Sequence, residues 1–239
     1  ITLDGYKMFF ENGRMNSAYG VTMFITVVGT ALNIVLTLLL AYPLSKRELP
    51  GSRAVMLYVL FSMLFTGGTI PKYLIVKDLG LIDSIWSLIL PIAITPYNVI
   101  LMRTFFRALP EDLFEAALID GANQWQICWQ VIVPLSKASI ATITLFCIVN
   151  HWNSWFDGML YFNTSTGQPL ATYLHNLVVN SSLDVMKTGD VETIKTLSEI
   201  STQTTKAAQI FLAMLPILIV YPYMRRYFSK GIVMGSVKG

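Results

Sequence analysis

The feature that most limits how this chain can fold is where its charges are missing. Lys, Arg, Asp and Glu are absent from residues 15–45, 54–71, 84–102, 138–156 and 207–224. Each run is close to or above the roughly 18 to 20 residues that a bilayer-spanning helix needs. Only 13% of the residues are charged and 54% are hydrophobic, whereas about a quarter of an average soluble domain is charged. The expected fold is an all-α, polytopic membrane protein forming one domain over 1–239. Its spans are expected near 17–44, 54–71, 84–106, 137–153 and 207–224.

Two other uncharged stretches do not read as spans. Residues 121–136 carry Asn123, Gln124, Gln126 and Gln130, and 158–183 include the run Asn163 to Pro169, whose backbone would be unsatisfied in lipid. The count is therefore five. Orientation follows from the basic residues between spans. Lys46, Arg47, Arg53, Arg103, Arg107, Lys137, Arg225, Arg226, Lys230 and Lys238 share one side. Lys7, Arg14, Lys72, Lys77, Lys187, Lys195 and Lys206 share the other, together with nine of the 14 acids. The first side, including the C-terminus, is read as cytoplasmic. The chain then starts outside, at Ile1 rather than Met, so a first spanning helix with a cytoplasmic leader is expected upstream. Cys128 and Cys147 are expected to be packed thiols rather than a disulfide.

The segment 107–136 interrupts the apolar runs on the cytoplasmic side. Pro110 suits the start of a helix, and Glu111 and Asp112 complement its positive end. A short helix to about Asp120 should end at Gly121, which tolerates a left-handed backbone. A second should run from about Asn123 through Val131 to Pro134. Ala116, Ala117 and Gly121 leave the backbone open to close approach, with Glu115 and Asp120 beside them.

This pattern of Glu115 Ala116 Ala117, three residues, Gly121, nine residues, and Val131 Ile132 Val133 before Pro134 resembles the cytoplasmic loop of permease subunits in binding-protein-dependent ABC importers. There, the short helix seats in a cleft of an ATP-hydrolysing subunit. The resemblance implies that Glu115, Ala116, Ala117, Asp120 and Gly121 contact that subunit. Asn16 Ser17, Ala41 Tyr42, Gly80 Leu81, Trp152 Asn153 and the tail ending Val237 Lys238 Gly239 are similar to the carbohydrate-uptake, maltose-type permeases. In those relatives the tail also reaches the ATPase. Ala207 Ala208 Gln209 and Tyr221 Pro222 Tyr223 look like the branch that imports oligosaccharides from plant or algal polysaccharides. The implied partners are a second homologous permease, two ATP-binding subunits, an extracytoplasmic sugar-binding protein, an oligosaccharide and membrane lipid, with no nucleic acid. The long external loop 153–206 would face the binding protein. No glycine-rich phosphate loop followed by Lys and Ser or Thr occurs, so ATP and Mg belong to a partner. This chain is not expected to be an enzyme or to hold a cofactor or metal.

Within the spans, Thr22, Thr26, Thr30, Asn33 and Thr37 fall in an arc of roughly 80° on one helix face. Such a stripe serves close helix packing or a sugar pathway, with packing the heavier reading. Asn33, Thr37, Asn98 and Asn150 are the candidate pathway residues. Pro91 and Pro96 should break the third span near Tyr97 and Asn98. Trp86, Trp152, Trp155 and Tyr161 are expected in an interfacial belt, and His151 and His175 as ordinary polar residues. The polar groups noted at membrane depth are not ionisable, which argues against the chief rival, an ion- or proton-coupled carrier or channel.

Overall fold

Residues 13–46, 48–164 and 167–176 are described by the structure, a computed structural model, together with Ile210, Phe211, Met214, Pro216, Leu218 and Pro222 farther on. Every regular element among them is helical. Helix α1 spans Gly13–Ser45 without interruption, about 50 Å at 1.5 Å per residue. It is followed by α2 (Ser52–Leu64), α3 (Thr69–Asp78), two 3-10 turns (Ile85–Leu88 and Leu90–Ile92) and α4 (Pro96–Arg107). The cytoplasmic segment holds α5 (Asp112–Ile119) and α6 (Gln124–Leu135), and α7 (Lys137–Trp152) and α8 (Trp155–Tyr161) follow. Residues 170–176 add a further helical stretch.

Five continuous spans are not what the structure contains. Among the described residues, α1 alone is long and apolar enough to cross a bilayer, and the number rises to four at most if each bent pair counts as one span. The expected span 54–71 stops at Leu64, and α3 leaves at 111° to α2. The intervening Phe65 to Gly68 includes Gly68 at φ 86°, a backbone that ends a helix cheaply only at glycine. The third span is broken as its prolines require: two 3-10 turns meet α4 at 47°. The fourth matches α7. The fifth, 207–224, lies mostly outside the described residues.

Helix α1 is the post around which the rest is arranged, packing chiefly on α7 and α4. Its Thr and Asn stripe is buried throughout, so among the described residues this face is a packing surface. Two arginines of α4 reach the C-terminal end of α1, where carbonyls have no intrahelical donor. Arg103 Nε donates to the Leu44 carbonyl at 2.8 Å and Arg107 Nε to the Ser45 carbonyl at 3.2 Å. The cytoplasmic core joins Leu38, Tyr42, Met102, Phe106, Ala117, Ile127 and Ile143. Both cysteines are buried and unbridged.

At the opposite end, Ile25, Val76, Leu88, Ile89, Tyr161 and Phe162 form a second core. Polar ties close it: the Asp83 carboxylate accepts from the Asn163 backbone at 2.7 Å and from its side-chain amide at 3.1 Å. Lys72 pairs with Asp157 at 3.2 Å. Two of the expected belt aromatics are instead interior. Tyr161 is fully buried and stacked on Tyr73, while Trp152 packs edge-on to Tyr19. Folding the segment after α8 back over α1, where the Leu170 amide reaches Thr22 Oγ1 at 2.7 Å, covers positions that would otherwise meet the interface. Trp86 and Trp155 remain exposed.

Candidate functional site

The cytoplasmic segment is a helix, a tight turn and a second helix, and each boundary has a local cause. Asp112 and Glu115 occupy the first turn of α5, where the helix dipole favours carboxylates. Gly121 sits at φ 79°. Its amide donates to the Leu118 carbonyl at 3.0 Å and the Ala122 amide to the Ala117 carbonyl at 3.0 Å, the paired bonds of a Schellman ending. Immediately afterwards, Asn123 and Gln126 cap α6 reciprocally, each side chain accepting from the other's backbone amide at 2.8 Å. The turn between α5 and α6 is thus fastened on both sides by backbone geometry.

The expected contact residues divide between two faces. Glu115, Ala116, Asp120 and Gly121 are exposed, while Ala117 is 9% exposed and turns into the cytoplasmic core. The small side chain of Ala117 therefore lets α5 approach the spanning helices, and that of Ala116 leaves the outer face low. Sequence reasoning missed the apolar ridge around them. Ile119 is 86% exposed, Trp125 63% and Leu118 50%, and a contiguous exposed apolar surface signals an interaction site. The sequence signal for it is the adjacent pair Leu118 and Ile119, since a short helix that buries Ala117 cannot also bury both of its neighbours in sequence.

The loop is tied to α1 by three contacts. Tyr42 Oη donates to Gln124 Oε1 at 2.8 Å. Lys46 Nζ lies 3.8 Å over the Phe114 ring and 5.2 Å from the Tyr42 ring centre, a cation–π arrangement. Burial lowers the pKa of Lys46, opposed by Glu111 and Glu48. Burial also raises that of the Cys128 thiol, which makes it a poor nucleophile.

The candidate pathway residues do not converge. Asn33 and Asn98 are buried and spend their amides internally: Asn33 on the Ile92 and Ala93 carbonyls and on His151, Asn98 on Cys147 Sγ at 3.4 Å. Thr37 is fully buried, its hydroxyl without a hydrogen-bond partner among the described residues. Asn150 is exposed on α7. Val237, Lys238 and Gly239 lie outside the described residues. Among the described residues no group of three or more His, Cys, Asp or Glu side chains could hold a metal.

The same sequence pattern and the same shape recur in known proteins. Residues 8–234 match the model of the family described as binding-protein-dependent transport system inner membrane component. The chain is 45% identical over its whole length to Protein LplC of Bacillus subtilis, covering 79% of that protein. It is 42% identical over its whole length to the polygalacturonan/rhamnogalacturonan transport system permease protein YtcP of the same bacterium, covering 82% of it. In shape it is similar to a chain in the crystal structure of a bacterial ABC transporter involved in the import of the acidic polysaccharide alginate. That match has a TM-score of 0.84 and 32% identity and covers 95% of this chain and 80% of that one. With the helix–turn–helix at its cytoplasmic face, the broken spans around α1 and a family match over nearly its full length, the chain belongs to the inner-membrane permease components of binding-protein-dependent transport systems.

Proposed function

We propose that this chain is one membrane-spanning half of an ATP-driven importer of oligosaccharides released from acidic polysaccharides. The observation that carries this reading is the cytoplasmic helix–turn–helix: an exposed ridge of Leu118, Ile119 and Trp125 beside Glu115, Ala116, Asp120 and Gly121. Such a ridge suits the helix-in-groove mode of docking, and an ATPase subunit is its occupant. Two such subunits bind ATP and Mg below, and a second homologous permease completes the pathway. An extracytoplasmic binding protein delivers sugar to the face formed by residues 153–206. The C-terminus is cytoplasmic, and Val237, Lys238 and Gly239 give the ATPase a second contact. Asn150, exposed on α7, is the remaining candidate for the pathway, because Asn33 and Asn98 are committed to internal bonds.

The preference for acidic saccharides is supported by relatives named for polygalacturonan, rhamnogalacturonan and alginate. The test is to purify the tagged chain from its native membrane, identify its companions and measure uptake of galacturonate oligomers against maltose in reconstituted vesicles. An ATPase lost on Glu115→Lys or Gly121→Leu, with ATP-dependent uptake of the acidic oligomers, supports the whole reading. Uptake driven by an ion gradient without any ATPase would move the chain to the carrier class.

A further inference from the structure

Proline at position 96 removes the amide that would have capped the Ile92 carbonyl four residues earlier. Neither the Ile92 nor the Ala93 carbonyl accepts a backbone amide among the described residues. Both are covered instead from α1: Asn33 Nδ2 donates to Ile92 O at 2.6 Å and to Ala93 O at 2.8 Å. With both amide hydrogens spent, Asn33 Oδ1 is left as an acceptor. His151 Nε2, 2.7 Å away, supplies the donor from the far end of α7. Asn33 is 3% exposed and His151 is fully buried. Gly29, one turn from Asn33, leaves the space that the imidazole fills.

The placement of these groups matters because of what the two arms do. Helix α4 starts just after the break and runs into the cytoplasmic turn through Arg107, while α7 runs out of it from Lys137 and ends at Trp152. One asparagine on α1 therefore holds the far ends of both arms that flank the coupling segment. We propose that Asn33 and His151 form an intramembrane latch, which fixes the broken third span as a rigid joint so that displacement of the cytoplasmic turn moves α1, α4 and α7 together. Asn33 and His151 are positioning residues for transport, and they act through the Ile92 and Ala93 carbonyls.

The latch is read directly by spin labels placed across the break in the assembled transporter, at Leu90→Cys and Thr104→Cys, both exposed positions, with the native cysteines buried. The latched protein gives a narrow distance distribution. Asn33→Leu broadens it at least twofold and lowers transport per ATP hydrolysed at least tenfold. Adding Pro96→Ala, which returns an amide to the Ile92 carbonyl, narrows the distribution again. His151→Leu broadens it and His151→Gln, which keeps a donor, does not. That histidine pair serves as the test if Asn33→Leu fails to assemble. An unchanged distribution in Asn33→Leu or His151→Leu overturns the latch, as does broadening that neither Pro96→Ala nor the glutamine variant reverses. The direction of the force rests on the importer reading above, but the distance measurement does not. A chain found without an ATPase would refute that reading and leave the joint measurable.

Discussion

Gly29→Ala is the smallest perturbation that should disable the centre of the molecule. A Cβ there would lie 2.5 Å from His151 Nε2 and 2.9 Å from Nδ1, and would also strike Cε1. The ring cannot yield like the tip of a flexible chain, because its Nε2 is bonded to Asn33. Overfilling such a site costs about 1–3 kcal/mol. Pushing the ring away leaves Asn33 Oδ1 buried without a donor, roughly another 1–3 kcal/mol. Alanine returns about 1 kcal/mol of helix propensity. The net expectation is destabilisation of about 2–4 kcal/mol, which for a chain of this size lowers Tm by roughly 4–16 °C. Gly20→Ala on the same helix is the control, since its Cβ would meet nothing within 4 Å. It should be neutral or slightly stabilising. Thermal unfolding of the two variants in the same detergent, followed by the amount of monodisperse complex remaining, gives the comparison. Equal melting of Gly29→Ala and Gly20→Ala would refute the packing of His151 on Gly29.

Three other outcomes follow from the described geometry. Gly121→Ala meets no neighbour, so its cost is conformational alone, about 1–2 kcal/mol; Gly121→Asn should cost less, and amide exchange at Leu118 to Asn123 should rank the variants in that order. Tyr42→Phe should lose about 1 kcal/mol in thermal melts, and adding Gln124→Ala to the Tyr42→Phe variant should cost nothing more if their bond is the shared cause. Asp83 has its pKa lowered from the usual 3.8, first by the Asn163 side chain and then by its backbone amide. Its contribution to stability is therefore present above that value and is lost as the pH falls through the lower folded value. Asp83→Asn, which also tolerates φ 59°, should melt below wild type at about pH 7 and match it once wild-type Asp83 is protonated.

What can be read from the sequence depends on whether the cause is local. Charge-free runs place α1 and α7 within a few residues. Pro110, Gly121 and Asn123 place the cytoplasmic turn, because capping and left-handed backbone are decided by neighbours along the chain. The break after Leu64 is not anticipated: the run 54–71 carries no charge to interrupt it, and Gly67 Gly68 inside an apolar run does not by itself distinguish a packed helix from a broken one. The Asn33–His151 bond joins residues 118 apart, and no periodicity relates them. His151, which reads in sequence as an ordinary polar residue, is fully buried. The motif groups Ala117 with Ala116, yet adjacent positions on a helix point about 100° apart, and one of them faces the core.

Between Ile127 and Ile132 the backbone of α6 widens into a π turn, a feature that inserts one residue without lengthening the rod in proportion. The nine-residue spacing from Gly121 to Val131 therefore contains a residue that contributes phase rather than reach. Removing one residue there would restore a regular winding and rotate everything beyond it by roughly 100°. Pro134 and the start of α7 would then face a different neighbour. Length variation in this loop is thus constrained by angle, and relatives that keep the same orientation of α7 should gain or lose residues on the Asn123 side of the widened turn.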